Sequence, residues 1–122
     1  MKRSTQIIFI LAIVFSIFNC TKTKNLNTMT VEEAIKSNSV TLLDVREAIE
    51  LEQEGAVEGA IHIPLGDISD NIEEIKAMPK PVVLFCRSGN RSGRAQDFLE
   101  SEGIEGLYNG GGFKDVIAVL ED

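Results

Sequence analysis

The sequence predicts an α/β fold with a mainly parallel central sheet flanked by helices on both faces. Short apolar runs that are rich in β-branched and aromatic residues alternate with longer, helix-prone segments. The chain of 122 residues has the length of one domain, and alternating strands and helices are typical of a parallel sheet.

Each predicted element has a local signal. Thr30 and Glu33 match a capping box, Gly55 ends an acidic helix, and Pro79 ends another helix. The glycines at 110–112 predict a flexible turn before the last helix. The predicted strands are four apolar runs, at residues 40–44, 60–63, 82–85 and 106–108. The predicted helices lie at residues 31–37, 46–54, 70–78, 92–102 and 113–120.

Residues 1–19 predict a signal peptide. Lys2 and Arg3 form a basic start, and the apolar run at 7–18 has the length of a signal-peptide core but is short for a membrane span. The run ends at Cys20 in a pattern that resembles a bacterial lipoprotein signal. The resemblance implies lipidation of Cys20 and an exported, periplasmic protein anchored to the inner or outer membrane. The alternative for this run is a membrane-spanning anchor.

Residues 20–27 then predict a flexible tether, and residues 28–122 the functional domain. If Cys20 is lipidated, Cys86 is the only remaining thiol, which excludes a dithiol redox role and a structural disulfide. If Cys20 is free, a disulfide with Cys86 in an oxidising compartment is the alternative. The net charge of −7 argues against a nucleic-acid partner, and no residues have the spacing of a metal site.

Cys86 is the predicted nucleophile. It follows a buried strand and precedes a helix, so it faces free backbone N–H groups and the positive end of the helix dipole. Arg87 and Arg91 add two cations nearby, and all three effects favour the thiolate. Gly89 allows the loop to direct its N–H groups inward around an anion. A lone buried cysteine that acts as a small apolar residue is the alternative.

Four sequence segments, in this order along the chain, resemble segments of the rhodanese family of sulfurtransferases. The resemblance covers about residues 29–120 and points in particular to the small exported members of the family. The four segments are Leu42 to Glu47, Gly59 to Leu65, Cys86 to Arg91 and Tyr108 to Phe113. The resemblance implies that the Cys86 thiolate takes sulfur from thiosulfate or a persulfide and passes it to a thiol or cyanide. The intermediate is a covalent Cys86 persulfide, and no cofactor is required.

The resemblance also assigns roles to individual residues. Asp44 and Arg46 are expected to support the scaffold. Arg87 is expected to attract the anionic donor, while Arg91 either does the same or anchors the loop to an acid such as Asp44. For His62, exposure to solvent or a structural hydrogen bond is favoured over catalysis. The substrate-binding loop comprises Arg87, Ser88, Gly89, Asn90, Arg91 and Ser92.

Two other functions are compatible with this fold. A thiolate phosphatase or arsenate reductase needs five residues between the cysteine and the arginine, whereas Arg91 follows Cys86 after four. The predicted loop is therefore sized for a sulfur atom. A non-catalytic binding module or sulfur carrier is the second alternative, which the intact Cys86 does not exclude.

Overall fold

The computed structural model describes residues 28–122, so the predicted signal peptide, the tether and Cys20 lie outside the described residues. No helix in this part of the chain is long and apolar enough to cross a bilayer. The elements in chain order are α1 (Val31–Ile35), β1 (Thr41–Asp44), α2 (Ala48–Glu54), β2 (Ile61–His62), a 3-10 helix (Leu65–Asn71), α3 (Ile72–Ala77), β3 (Val82–Cys86), α4 (Asn90–Ser101), β4 (Leu107–Gly112) and α5 (Phe113–Leu120).

The four strands form one parallel sheet in the order β2-β1-β3-β4. Parallel neighbours need a crossover connection, and the helices between the strands supply it. The predicted α/β class with a parallel sheet is confirmed. Because β3 lies between β1 and β4, its carboxyl end is surrounded by the ends of its neighbours, and Cys86 is the last residue of that strand.

Two apolar layers cover the two faces of the sheet, as predicted. Val82, Leu84 and Cys86 of β3 pack in one layer with buried residues of α3 and α4, such as Ile75 and Leu99. The alternate β3 residues pack in the other layer, with α1 and α5. This alternation directs the Cys86 side chain toward α4. In the second layer the principal residues are Ala34, Ile35, Leu42, Val57, Val83, Phe85, Phe113 and Val116.

Several element boundaries differ from the prediction. The helix expected at 46–54 begins only at Ala48, because the Glu50 carboxylate accepts a hydrogen bond from the backbone N–H of Glu47 and caps the helix there. The helix expected at 70–78 is shorter, since its beginning belongs to the 3-10 helix. The helix expected at 92–102 begins earlier, at Asn90, directly after the left-handed Gly89.

The prediction of a flexible glycine turn at 110–112 is wrong, because these residues complete β4. A Cβ added to Gly110 would lie 2.8 Å from Cγ1 of Val83 and 3.0 Å from Cγ2 of Val116. The glycines therefore allow close packing within a strand rather than a flexible turn. Between the register pairs Leu84–Asn109 and Cys86–Gly112, β4 carries one extra residue, which is a bulge beside the cysteine.

Replacement of Gly110 by alanine tests this packing. We expect Gly110→Ala to lower the free energy of unfolding by about 1–3 kcal/mol, because Val83 and Val116 leave no room for a methyl group. Gly66→Ala is the matched control, since an added Cβ at Gly66 meets nothing within 4 Å. Urea unfolding measures both variants, and equal stability of the two would contradict the packing argument.

Candidate active site

The chain turns sharply after Cys86 and enters α4 at Asn90. The turn depends on Gly89, whose backbone is left-handed with a φ of 94°. A Cβ at this position would also lie 3.1 Å from Cα of Gly111. The predicted loop therefore lies at the carboxyl edge of the sheet, where parallel α/β folds bind their ligands.

Cys86 is fully buried beneath this loop. The backbone N–H of Gly89 donates a hydrogen bond to Sγ at 3.0 Å, and the Ser92 hydroxyl lies 3.5 Å from Sγ. The main-chain N–H groups of Ser88 and Ser92 also favour the charged form of the sulfur. The amides therefore converge on the thiol from the turn and from the first turn of α4.

These hydrogen bonds determine the ionisation of the thiol. Burial raises the pKa of Cys86, but the hydrogen bonds from the Ser92 side chain and from the N–H groups of Ser92, Ser88 and Gly89 outweigh it. The resulting pKa is about 7, below the ordinary value for a cysteine. Roughly half of the thiol is ionised at neutral pH, so no separate general base is required for a nucleophilic attack.

The arginines contribute less to the thiolate than the sequence suggests, because both lie beside carboxylates. Arg91 donates two hydrogen bonds of 2.7 Å to the two oxygens of Glu50. Its guanidinium holds the pKa of Glu50 at about 2. Glu50 raises the pKa of the Arg91 guanidinium, and the negative charge of the Cys86 thiolate raises it further by a smaller amount. Arg91 therefore anchors the loop to an acid, which was one of its two expected roles, but the acid is Glu50 of α2 and not Asp44.

Arg87 lies at the open side of the loop. Its side chain is 66% exposed, and its nearest carboxylate oxygen, on Glu54, is 3.7 Å away. Ser88 and Asn90 are also exposed, so the outer surface of the loop is polar and accessible. Of the predicted loop residues, Ser88, Gly89 and Ser92 thus interact with Cys86. The Arg91 side chain is bound to Glu50, and Arg87 carries the more exposed charge of the two arginines.

Asp44 and Arg46 form a buried ion pair at the end of β1, with Nη2 of Arg46 2.8 Å from Oδ2 of Asp44. Arg46 also donates to the carbonyl of Gly55, and its guanidinium carbon lies 4.0 Å from the centre of the Phe113 ring. The pair therefore links β1, the end of α2 and the start of α5. This arrangement is that of a scaffold, with no direct contact to Cys86.

Sequence reasoning assigned no role to Asn109. This residue is in register with Leu84, so its side chain faces α4 and reaches the loop. Its Oδ1 accepts a hydrogen bond from the Ser92 hydroxyl at 2.7 Å, and its Nδ2 donates to the carbonyl of Gly89 at 2.9 Å. A polar residue inside an otherwise apolar and glycine-rich strand is the signal that identifies such a position.

The single histidine takes no part in this site. Nε2 of His62 donates a hydrogen bond of 2.7 Å to the carbonyl of Arg46, which is the structural hydrogen bond that the sequence favoured. Among residues 28–122 there is also no group of three or more histidine, cysteine or carboxylate side chains that could hold a metal ion.

The comparisons with known proteins agree with this geometry. The family model of the rhodanese-like domain matches residues 28–121. The uncharacterised protein YqhL of Bacillus subtilis is 36% identical over 111 residues, which are 88% of this chain and 86% of that protein. The thiosulfate sulfurtransferase PspE of Escherichia coli is 36% identical over 77 residues, which are 61% of this chain and 71% of that protein.

A solved structure described as a rhodanese with anions from Escherichia coli shares the fold. The two structures superpose with a TM-score of 0.52 at 33% sequence identity. The superposition covers 62% of this chain and 89% of the Escherichia coli chain. The parallel sheet, the loop around Cys86 and the match over almost all of the described residues lead to one assignment. The chain belongs to the rhodanese-like domain family.

Proposed function

We propose that the protein is a thiosulfate sulfurtransferase that carries sulfane sulfur on Cys86. The observation that supports this most directly is the position of Sγ under the loop, 3.0 Å from the N–H of Gly89. A thiol with a pKa of about 7 in such a setting is a nucleophile at neutral pH. The same N–H groups favour negative charge on the sulfur that Cys86 gains.

The reaction proceeds in two displacements. The Cys86 thiolate attacks the outer sulfur of thiosulfate, the bond between the two donor sulfurs breaks, and sulfite leaves with the electron pair. An acceptor thiolate or cyanide then attacks the terminal sulfur of the Cys86 persulfide, and the Cys86 thiolate leaves. The products are a persulfide or thiocyanate, and the cycle balances without a cofactor or an external oxidant.

The loop has two functions in this cycle. Cys86 is buried beneath the loop, so the loop shields the bound sulfur from water. Arg87 attracts the anionic donor, since its charge is the more exposed of the two arginines. Arg91 keeps the start of α4 attached to α2 through Glu50.

The ion pair of Arg91 with Glu50 also argues against a phosphatase or arsenate reductase. Those reactions need a cradle that holds a tetrahedral oxyanion, and a cationic side chain that faces it. Here four residues separate Cys86 from Arg91, and both outer nitrogens of that arginine donate to Glu50. The loop is better suited to one sulfur atom than to a phosphate.

We also propose that sulfur transfer takes place at a membrane surface outside the cytoplasm. The support for this is the basic and apolar start of the sequence followed by Cys20, the predicted lipidation site. A lipid on Cys20 would leave the domain at 28–122 connected to the membrane by the tether at 20–27.

Mass spectrometry of the intact protein tests the first displacement. We expect incubation of the Cys20→Ser chain with thiosulfate to add about 32 Da, the mass of one sulfur atom, and cyanide to remove it. A chain with Cys86→Ser in addition is the control and gains nothing. Absence of the adduct would favour a binding module, and an adduct that neither thiols nor cyanide remove would not be sulfane sulfur and would contradict the proposed transfer.

The role of Arg87 is tested by donor kinetics. We expect Arg87→Ala to raise the KM for thiosulfate about fivefold, because a charge close to an exposed anion contributes about 1 kcal/mol. Arg94→Ala is the matched control, since Arg94 is an exposed arginine farther along α4. Steady-state rates with cyanide as acceptor measure both variants. Equal KM values in the two would remove Arg87 from the donor site.

A further inference from the structure

We propose that Asn109 is a positioning residue of the site, which holds Gly89 in the conformation that directs its N–H at Sγ of Cys86. This role rests on the proposed use of Cys86 as the nucleophile. It assigns a function to a strand residue that does not touch the sulfur itself. The observations that support it are three hydrogen bonds, the packing of one glycine and the placement of the Ser92 hydroxyl.

The Asn109 side chain joins three separate parts of the site. Nδ2 donates to the carbonyl of Gly89 in the turn at 2.9 Å. Oδ1 accepts from the backbone N–H of Gly111 at 3.0 Å and from the hydroxyl of Ser92 in α4 at 2.7 Å. One amide side chain thus connects the loop, the bulge of β4 and the first turn of α4.

The hydrogen bond to Gly89 selects one backbone conformation. Glycine adopts positive and negative φ values about equally readily, so Gly89 alone does not fix the direction of its peptide groups. Its carbonyl accepts from both Nδ2 of Asn109 and the N–H of Gly93, and these two hydrogen bonds restrain the residue. With the carbonyl held in this way, the N–H of Gly89 remains 3.0 Å from the Cys86 sulfur.

The packing of α4 shows that space is kept for this side chain. Gly93 lies inside the helix, where glycine destabilises by roughly 1 kcal/mol relative to alanine. A Cβ at Gly93 would lie 3.2 Å from Nδ2 of Asn109, and that atom is the one contact it would make within 4 Å. The absence of a side chain at position 93 is therefore explained by the presence of Asn109.

The Ser92 hydroxyl has one proton and two acceptors within reach. Oδ1 of Asn109 lies 2.7 Å from Oγ, whereas Sγ of Cys86 lies 3.5 Å away. The hydroxyl is therefore shared between Asn109 and the sulfur, and Asn109 fixes where it lies relative to Sγ. Among the groups that stabilise the thiolate, the N–H of Gly89, 3.0 Å from Sγ, is the one whose position Asn109 controls through the Gly89 carbonyl.

The test is the pH dependence of Cys86 alkylation by iodoacetamide, a neutral reagent, in the Cys20→Ser chain. In Asn109→Asp an oxygen replaces Nδ2 and faces the Gly89 carbonyl, and a negative charge lies near the sulfur. We expect the alkylation midpoint to rise from about 7 toward the free value of about 8.5. At pH 7 the alkylation rate should fall roughly threefold to tenfold.

The matched control is Gln96→Ala. Gln96 also connects α4 to β4, through a hydrogen bond of 3.1 Å from Nε2 to the carbonyl of Leu107, but it lies outside the loop. Gln96→Ala should lose about as much stability as Asn109→Asp, but its rate of Cys86 alkylation should keep a midpoint near pH 7. Gly93→Ala, which crowds Asn109 without removing it, should raise the midpoint and provides a second route if Asn109→Asp does not fold.

An unchanged midpoint in the folded variants of Asn109 and Gly93, or an equal shift in Gln96→Ala, would overturn the proposal. The readout is independent of sulfur transfer. If the parent chain forms no persulfide but the midpoint shifts as expected, the positioning role stands and the proposed sulfurtransferase activity fails.

Discussion

The structure depends on one constraint, which is that a buried sulfur at the end of β3 faces several main-chain N–H groups at once. Burial alone would suppress the thiolate, and the hydrogen bonds from Gly89, Ser88 and Ser92 reverse this effect. The constraint explains why the turn contains a left-handed glycine and why α4 begins immediately afterward. A bulge of β4 lies beside the same cysteine.

Charge around the site is balanced rather than strongly positive. All 19 acidic residues of the chain follow residue 27, whereas four of its 12 basic residues precede it, so the described domain is more acidic than the whole. Glu50 neutralises Arg91, and Glu54 lies near Arg87. Neutral amides stabilise the thiolate without a strong positive field, and Arg87 remains as the exposed cation that an anionic donor meets first.

Sequence reasoning predicted the parallel sheet and the placement of Cys86 between strand and helix, because apolar runs and their breaks are local signals. It missed the partner of Arg91, since an ion pair across 41 residues forms only when the fold brings Glu50 of α2 to the start of α4. It misread the glycines at 110–112, because glycine marks both flexible turns and close packing. Asn109 was overlooked since its contacts form only when β4 is in register with β3.

The measurement that tests this account most directly is a titration of the Cys86 thiolate by its ultraviolet absorbance, in the Cys20→Ser chain at low and at high salt. If neutral main-chain dipoles stabilise the thiolate, the midpoint lies near 7 and changes little with ionic strength. A midpoint near the free value of about 8.5, or one that rises steeply with added salt, would contradict the central role of the amides.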